Sequence, residues 1–457
     1  MTRYLIIGNG AAGVTAAETI RIQDPQGRIT IVSAEPGPMY SRPGLAYVLM
    51  QEIPSQQIHA RTMEWYAQFG VELVHGTAVS LDVTQRKVGL ADGRSLPYDK
   101  LLIATGARAV SPPYPGIDLK GVVYLDTLEG TQDLLKQTRR ARRAVVIGGG
   151  ITALELSEGL SHQGVDTHYF VRRDLLWNRV FNEAESKILE ERMTAHGVTI
   201  HYHTEIQEIQ GNWRGRVQSV ILKDGSEFKC DLVGIAIGVE PQLDLIKNTP
   251  IAIDRAILVN EFLQSSVPDI YAAGDCAQVY DRWTQKHMLD VLWPSAVAGG
   301  RAAALNMVGQ TFAYVKGSPF NACLLFGLHI TTMGQVNPHP SEAPEVVQHL
   351  SRGSSEVWYT YPRTYNSAWA ATGPNTLRLV INDGYLVGAL LMGNQRLADP
   401  LRHLIEDGVY IGDWEEALQT GGDLLQQRIT DYWQIITQKQ VSSNESFIAM
   451  NDQKGSG

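Results

Sequence analysis

Hydrophobic positions along the chain fall in short uninterrupted runs bounded by glycine, a pattern of buried strands more than of helix faces. Tyr4-Leu5-Ile6-Ile7 runs straight into Gly8-Asn9-Gly10-Ala11-Ala12-Gly13, and Ala144-Val145-Val146-Ile147 runs into Gly148-Gly149-Gly150-Ile151-Thr152-Ala153. A helical stretch opens after each glycine turn, so strand, turn, helix and strand form an internal repeat. Further on, Thr376-Leu377-Arg378-Leu379-Val380-Ile381, the turn Asn382-Asp383-Gly384 and Leu386-Val387-Gly388-Ala389-Leu390-Leu391 predict a β-hairpin. Beyond Gly412, the residues Leu425, Ile429, Tyr432, Trp433 and Ile436 share one face of a predicted helix, suited to packing on the body or on a partner. Ser442 to Gly457 is polar and rich in small residues, which predicts a mobile tail.

Glycines after a strand and before a helix permit a tight turn and let backbone N–H groups approach a pyrophosphate at the helix N-terminus. One such turn alone is compatible with an ordinary helix start; here it recurs in the same context. Glu35, beyond the run Ile29-Thr30-Ile31-Val32, stands where a carboxylate would accept from ribose hydroxyls. The second copy has Ala153 in its third position, where a small residue suffices, and lacks the acid. Where the strand Thr167-His168-Tyr169-Phe170 ends, the chain reads Val171-Arg172-Arg173-Asp174, with Arg179 further on. Guanidinium groups there can pair with a 2′-phosphate, which favours NADPH over NADH; solvated surface charge is the alternative reading. Asp275, after Ile270-Tyr271-Ala272-Ala273-Gly274, lies at a strand's carboxyl end, as a ligand contact or a helix cap.

Composition narrows the class. The chain has 457 residues, 44% hydrophobic and 19% charged, with net charge −9 and a pI near 5.8, enough for more than one core and opposed to sequence-independent nucleic-acid binding. The dense basic run Arg139-Arg140-Ala141-Arg142-Arg143 reads as a helix end before a strand. No apolar stretch reaches the ~20 residues that cross a bilayer, and the first strand begins at Tyr4, leaving no room for a removable signal peptide. A cytoplasmic protein is expected, with a membrane-surface role for the C-terminal helix as the lesser reading because its polar face is not basic.

These features resemble the pyridine nucleotide-disulfide oxidoreductase superfamily over about residues 1 to 410. The resemblance rests on both glycine turns, on Leu101-Leu102-Ile103-Ala104-Thr105-Gly106, on Leu232-Val233-Gly234-Ile235-Ala236-Ile237-Gly238 with Glu240-Pro241, and on Ser266-Val267-Pro268-Asp269 leading into Gly274-Asp275. It implies an α/β fold with two Rossmann-like dinucleotide-binding domains, for FAD and NAD(P), plus a C-terminal α+β interface domain and a helical tail. The domains implied are 1–116 and 251–318 for FAD, 117–250 for NAD(P), 319–412 for the interface, with a homodimer as one use of it, and 413–457 for an amphipathic helix and flexible tail. It assigns FAD to Gly8, Gly10, Ala11, Ala12, Gly13, Glu35, Thr105, Gly106, Gly274 and Asp275. The nicotinamide cofactor falls to Gly148, Gly150, Ile151, Ala153, Glu155 and Gly238, with Arg172, Arg173 and Arg179.

The cysteines decide the branch. Only Cys230, Cys276 and Cys323 occur, widely spaced, so no redox-active pair exists. In Gly44-Leu45-Ala46-Tyr47 the preceding residue is Pro43, where the single-cysteine branch carries its nucleophile; Cys276 reads as a small buried residue. What remains resembles the flavin module of NAD(P)H-nitrite reductases and the rubredoxin and ferredoxin reductases. Tyr40-Ser41-Arg42-Pro43 resembles their segment beside the isoalloxazine, and Leu292-Trp293-Pro294-Ser295-Ala296 the start of the helix facing the flavin. Tyr47 stands where several such reductases carry a lysine paired with the glutamate that matches Glu155. Tyr40, Arg42, Tyr47 and Glu155 are thus the candidate catalytic residues, with loop packing and a helix-dipole contact as alternatives. Three scattered cysteines cannot ligate a cluster with four thiolates, so nitrite itself is not the expected acceptor of this chain alone. His201-Tyr202-His203 would place both histidines on one strand face near His196, a metal geometry without a third ligand, read as surface histidines. The expected function is hydride transfer from NAD(P)H to flavin N5 and onward transfer to a small iron–sulfur or rubredoxin-like protein. A quinone- or oxygen-reducing enzyme and a slow flavoprotein sensor are the alternatives.

Overall fold

The computed structural model describes residues 1–281, 286–336, 365–372 and 375–454, without side-chain detail for 365–372 and 439–454. The described residues divide at Gly317/Ser318 into two compact units.

The first unit holds two five-stranded parallel sheets. In one, the spatial order is Ile270–Ala272, Lys100–Ile103, Arg3–Ile7, Arg28–Ser33, Val71–His75. Its central strand is apolar throughout because both faces are covered: Tyr4, Leu5, Ile6 and Ile7 are all buried. The chain leaves that strand toward Arg28–Ser33 and later returns to its other side with Lys100–Ile103. The order therefore reverses beside Ile7, and a crevice forms at the carboxyl ends there. The second sheet runs Val198–His201, Asp166–Phe170, Arg143–Ile147, Leu232–Ile235, Val122–Val123 and reverses beside Ile147 in the same way. Small residues set the packing beneath the first crevice. A Cβ on Gly300 would stand 2.2 Å from the Ala12 carbonyl oxygen, so the helices Ala11–Gln23 and Trp293–Met307 touch backbone to backbone. The strands Ala107–Ala109 and Val239–Pro241 pair antiparallel at the passage between the two sheets.

The second unit is a five-stranded antiparallel sheet with the helices Ala398–Glu406, Glu415–Thr420 and Gly422–Lys454. The hairpin read from Asn382-Asp383-Gly384 is present: Asn375–Asn382 pairs with Tyr385–Met392, and Asp383 and Gly384 take φ of 49° and 79°, the left-handed pair that a two-residue hairpin turn needs. Leu425 and Ile429 are buried in this unit's core with Tyr432 packed against it, so the predicted apolar face packs on its own unit. The helix continues to Lys454, past the Ser442 boundary read from composition. No glycine or proline interrupts residues 423–454, and without a breaker polarity alone does not end a helix. Among the described residues no helix is long and apolar enough to cross a membrane.

Candidate active site

Both glycine turns lie at the reversal points of their sheets. In the first, a Cβ on Gly8 (φ +122°) would stand 2.0 Å from the Ala104 carbonyl oxygen, and one on Gly13 2.0 Å from the Gly8 carbonyl oxygen, whereas one on Gly10 would meet nothing within 4 Å. Gly8 and Gly13 thus close the turn against the protein, and Gly10 faces outward. In the second, a Cβ on Gly148 would come 2.1 Å from the Ala236 carbonyl oxygen and 2.9 Å from the Ala153 Cβ, and one on Gly149 again meets nothing. Ala153 is therefore close to the largest residue this turn admits.

The helices that follow are built to accept an anion. Ala11–Gln23 starts at Gly10 and Ile151–His162 at Gly150, each with an extended N-cap, no side-chain cap and no acid in the first turn. Thr62, Thr127 and Asn182 cap three other helices of the unit, each accepting from a first-turn N–H, whereas Leu45–Leu49 and Trp293–Met307 also start without a side-chain cap; the glycine turns that open the first pair set them apart. Two long helices left uncapped over open glycines fit the pyrophosphates of two dinucleotides.

Around the first turn, Gly106 (φ +70°) and Gly274 (φ +77°) follow their strands, and Thr105 Oγ1 donates to the Gln242 carbonyl at 2.7 Å. Glu35 stands just beyond Arg28–Ser33, as expected, and both of its oxygens have protein partners. Tyr40 donates to Oε2 at 2.6 Å and Arg42 Nη2 to Oε1 at 2.5 Å. Each carboxylate oxygen has a second lone pair, so a ribose hydroxyl can still be received. Burial works against the Arg42 charge, but Tyr40, Glu35, Asp126 and Asp275 outweigh it and hold the guanidinium protonated. Burial likewise pushes the Tyr40 phenol up. Tyr40, Arg42, Glu35 and Asp275 therefore belong to one charge cluster. Asp126 completes it: Arg42 Nη1 donates to its carbonyl at 2.6 Å and lies 3.7 Å from its carboxylate. The sequence carries no signal for Asp126, which sits in an aperiodic segment before the Thr127 cap.

At the second turn, Glu155 lies beyond the first helical turn, so the dipole reading of this residue falls. Its carboxyl is pushed up to about 8, by burial first and then by the like charge of Glu158, and at neutral pH it is a hydrogen-bond donor. Gly159, one turn on and on the same helix face, lies against Leu49. The short helix Leu45–Leu49, which carries the exposed Tyr47, thus packs on the helix that carries Glu155. Arg172 and Arg173 leave the strand Asp166–Phe170 at its carboxyl end, followed by Arg179. Gly238 (φ +122°) follows Leu232–Ile235, its carbonyl bonded by the Val110 N–H.

One sequence reading changes. The strand of His201 ends at that residue, and His203 enters a left-handed turn (φ 53°), so the two histidines do not share a face. His201 Nε2 meets His168 Nδ1 at 2.9 Å, His203 pairs with Asp174 at 2.8 Å, and His196 bonds the Arg192 carbonyl. Among the described residues no group of three or more such side chains could hold a metal. Cys276 is buried as expected, its thiol directed at the carbonyls of Ile103 and Ala273.

The family model for pyridine nucleotide-disulphide oxidoreductases matches residues 2–290. The chain is 31% identical over 337 residues to the assimilatory nitrate reductase electron transfer subunit of Bacillus subtilis (strain 168), covering 73% of this chain but only 43% of that protein's length. It is 31% identical over 408 residues to an NADH oxidase of Methanocaldococcus jannaschii, covering 87% of this chain and 89% of that one. In fold it is similar, with a TM-score of 0.79 at 24% identity over 93% of this chain and 100% of the other, to the ferredoxin reductase for the CYP199A2 system from Rhodopseudomonas palustris. Paired glycine turns on two parallel sheets and a family match spanning both lead to one assignment: the chain belongs to the pyridine nucleotide-disulphide oxidoreductase family.

Proposed function

We propose that this chain is an FAD-dependent NAD(P)H oxidoreductase without a redox-active disulfide, passing reducing equivalents to a separate small iron–sulfur or rubredoxin-like protein. The observation that carries this reading is the pair of uncapped helices over open glycines. Bound FAD would supply the hydride-accepting chemistry. The chain's own residues do the placing. The turn Gly8 to Gly13, Ala11 and Ala12 included, holds the FAD pyrophosphate and Glu35 its ribose. Thr105, Gly106, Gly274 and Asp275 line the same crevice. Gly148, Gly150, Ile151, Ala153 and Gly238 receive the nicotinamide nucleotide, and protonated Glu155 donates toward the nicotinamide edge. Arg172, Arg173 and Arg179 supply positive charge for a 2′-phosphate, which favours NADPH. The sequence-derived domains 1–116 with 251–318, and 117–250, are the FAD and nucleotide halves of this scheme.

The acceptor is inferred from chemistry and from the name of the Bacillus subtilis relative, an electron transfer subunit. The near full-length similarity to an NADH oxidase favours a second reading, direct reduction of oxygen. Reconstitution with FAD, followed by turnover with NADPH in the presence of rubredoxin, a [2Fe–2S] ferredoxin or oxygen alone, tests both. Carrier-stimulated oxidation of NADPH supports the first, and equal oxidation with oxygen alone supports the second.

A further inference from the structure

We infer that Asp126 is a positioning residue: with Tyr40 and Arg42 it ties the flavin half to the first helix of the nicotinamide half, and so sets how the nicotinamide meets the flavin. The inference rests on the proposed function.

The bridge is continuous. From the first sheet, Glu35 holds Tyr40 and Arg42 by one carboxylate oxygen each. From the other side, Arg42 Nη1 donates to the Asp126 carbonyl at 2.6 Å, and the Leu128 N–H donates to the Tyr40 hydroxyl at 3.2 Å. Asp126 also reaches back: its Oδ2 accepts from the Ala109 N–H at 3.2 Å, in the strand Ala107–Ala109 at the passage between the halves. Leu128 opens the helix Leu128–Thr138, which follows the edge strand Val122–Val123 of the second sheet. Apolar contact seals the same place, where Leu45, Val48 and Ile58 pack against Leu125, Leu128 and Leu135. Three contacts thus converge on the Asp126 segment: a charge-assisted bond, a backbone N–H bonded to a phenol oxygen, and an apolar patch. The half-buried Arg42 guanidinium donates charge-assisted bonds to the Glu35 carboxylate and to the Asp126 carbonyl, and such bonds are directional. They fix an angle between the halves where apolar contact alone would allow sliding. Hydride transfer is sensitive to that angle, because a misplacement of ~1 Å can cost ~10²-fold in rate.

The test compares Asp126→Ala, which removes the acceptor for Ala109 and the charge beside Arg42, with Asp126→Asn, which keeps an acceptor oxygen. Two readouts are taken on the full chain: amide exchange of residues 107–130 without added cofactor, and the limiting rate of flavin reduction at saturating NADPH. Asp126→Ala is expected to exchange faster in that segment, to keep its FAD, and to reduce flavin about 10-fold more slowly with little change in nucleotide half-saturation. Asp126→Asn should recover most of the rate. Tyr40→Phe, which leaves the Leu128 N–H without its acceptor, provides a second variant should Asp126→Ala fail to fold, and should speed exchange at Leu128. Exchange unchanged in the variants, or equal rates in Asp126→Ala and Asp126→Asn, overturns the inference. A wild-type flavin that neither nucleotide reduces overturns the proposed function instead, and the exchange arm still decides whether the bridge holds the two halves.

Discussion

Leu49 lies directly against Gly159: a Cβ on Gly159 would come within 2.4 Å of the Leu49 Cδ2 and 2.5 Å of its Cγ. The Leu49 carbonyl also accepts from Gln163 Nε2 at 2.9 Å, so the same helix holds the short helix by a hydrogen bond as well as by packing. A valine at 159 would gain a few tenths of a kcal/mol in helix propensity over glycine. Overpacking against fully buried Leu49 would cost about 1–3 kcal/mol. The cost wins. Gly159→Val should lower the melting temperature and slow flavin reduction while FAD remains bound; thermal melts and anaerobic half-reaction rates check this.

The first glycine turn separates folding from ligand binding. Gly8→Ala forces a side chain into the left-handed region and onto the Ala104 carbonyl, and should cost about 2 kcal/mol or more. Gly10→Ala meets no protein atom and has an ordinary backbone (φ −96°). Its melting temperature without cofactor should match the wild type while FAD retention on gel filtration drops sharply. Full FAD retention by Gly10→Ala would place the pyrophosphate elsewhere.

Glu155 gives the protein a pH signature. Its carboxyl is protonated in the folded state up to about 8 but ionises near 4.3 in an unfolded chain. Between those values the folded state binds the extra proton, so this group's contribution to stability falls as pH rises and levels off above about 8. Glu155→Gln removes the titration. Melting temperatures of the cofactor-free wild type and Glu155→Gln should therefore diverge from pH 5 to pH 8, with the variant gaining relative to the wild type. Parallel curves would show that Glu155 has an ordinary carboxyl.

Nucleotide choice rests on the arginines after Phe170. Replacing Arg172 and Arg173 together by alanine should raise the half-saturating NADPH concentration at least ~10-fold, the value of one lost charge-assisted contact, and leave NADH nearly unaffected. Arg179→Ala should act in the same direction. Equal losses with both nucleotides would assign the arginines to folding.

Most of the scaffold was legible because it is local. A strand running into glycines and then a helix is written in consecutive residues, and so is the hairpin at Asp383-Gly384. Glu35, Asp275, Arg172 and Arg173 could be singled out as candidates because each lies within three residues of a strand end. What the sequence hid is long-range. The bonds from Tyr40 and Arg42 to Asp126 and Leu128 join residues more than 80 positions apart, and no periodicity records them. The contact of Leu49 with Gly159 is hidden likewise, since a glycine inside a helix does not name its neighbour. His203 misled because alternation assumes that a strand continues, and here it stops at His201.

The central claim is that one half of the first unit delivers hydride to a flavin held by the other. Anaerobic stopped-flow bleaching of the flavin band, with NADPH and with NADH separately, tests it most directly. The account predicts rapid bleaching within a single turnover, faster with NADPH. Slow bleaching by both nucleotides, with FAD fully bound, would contradict it and mark the protein as a nucleotide-binding sensor instead of a reductase.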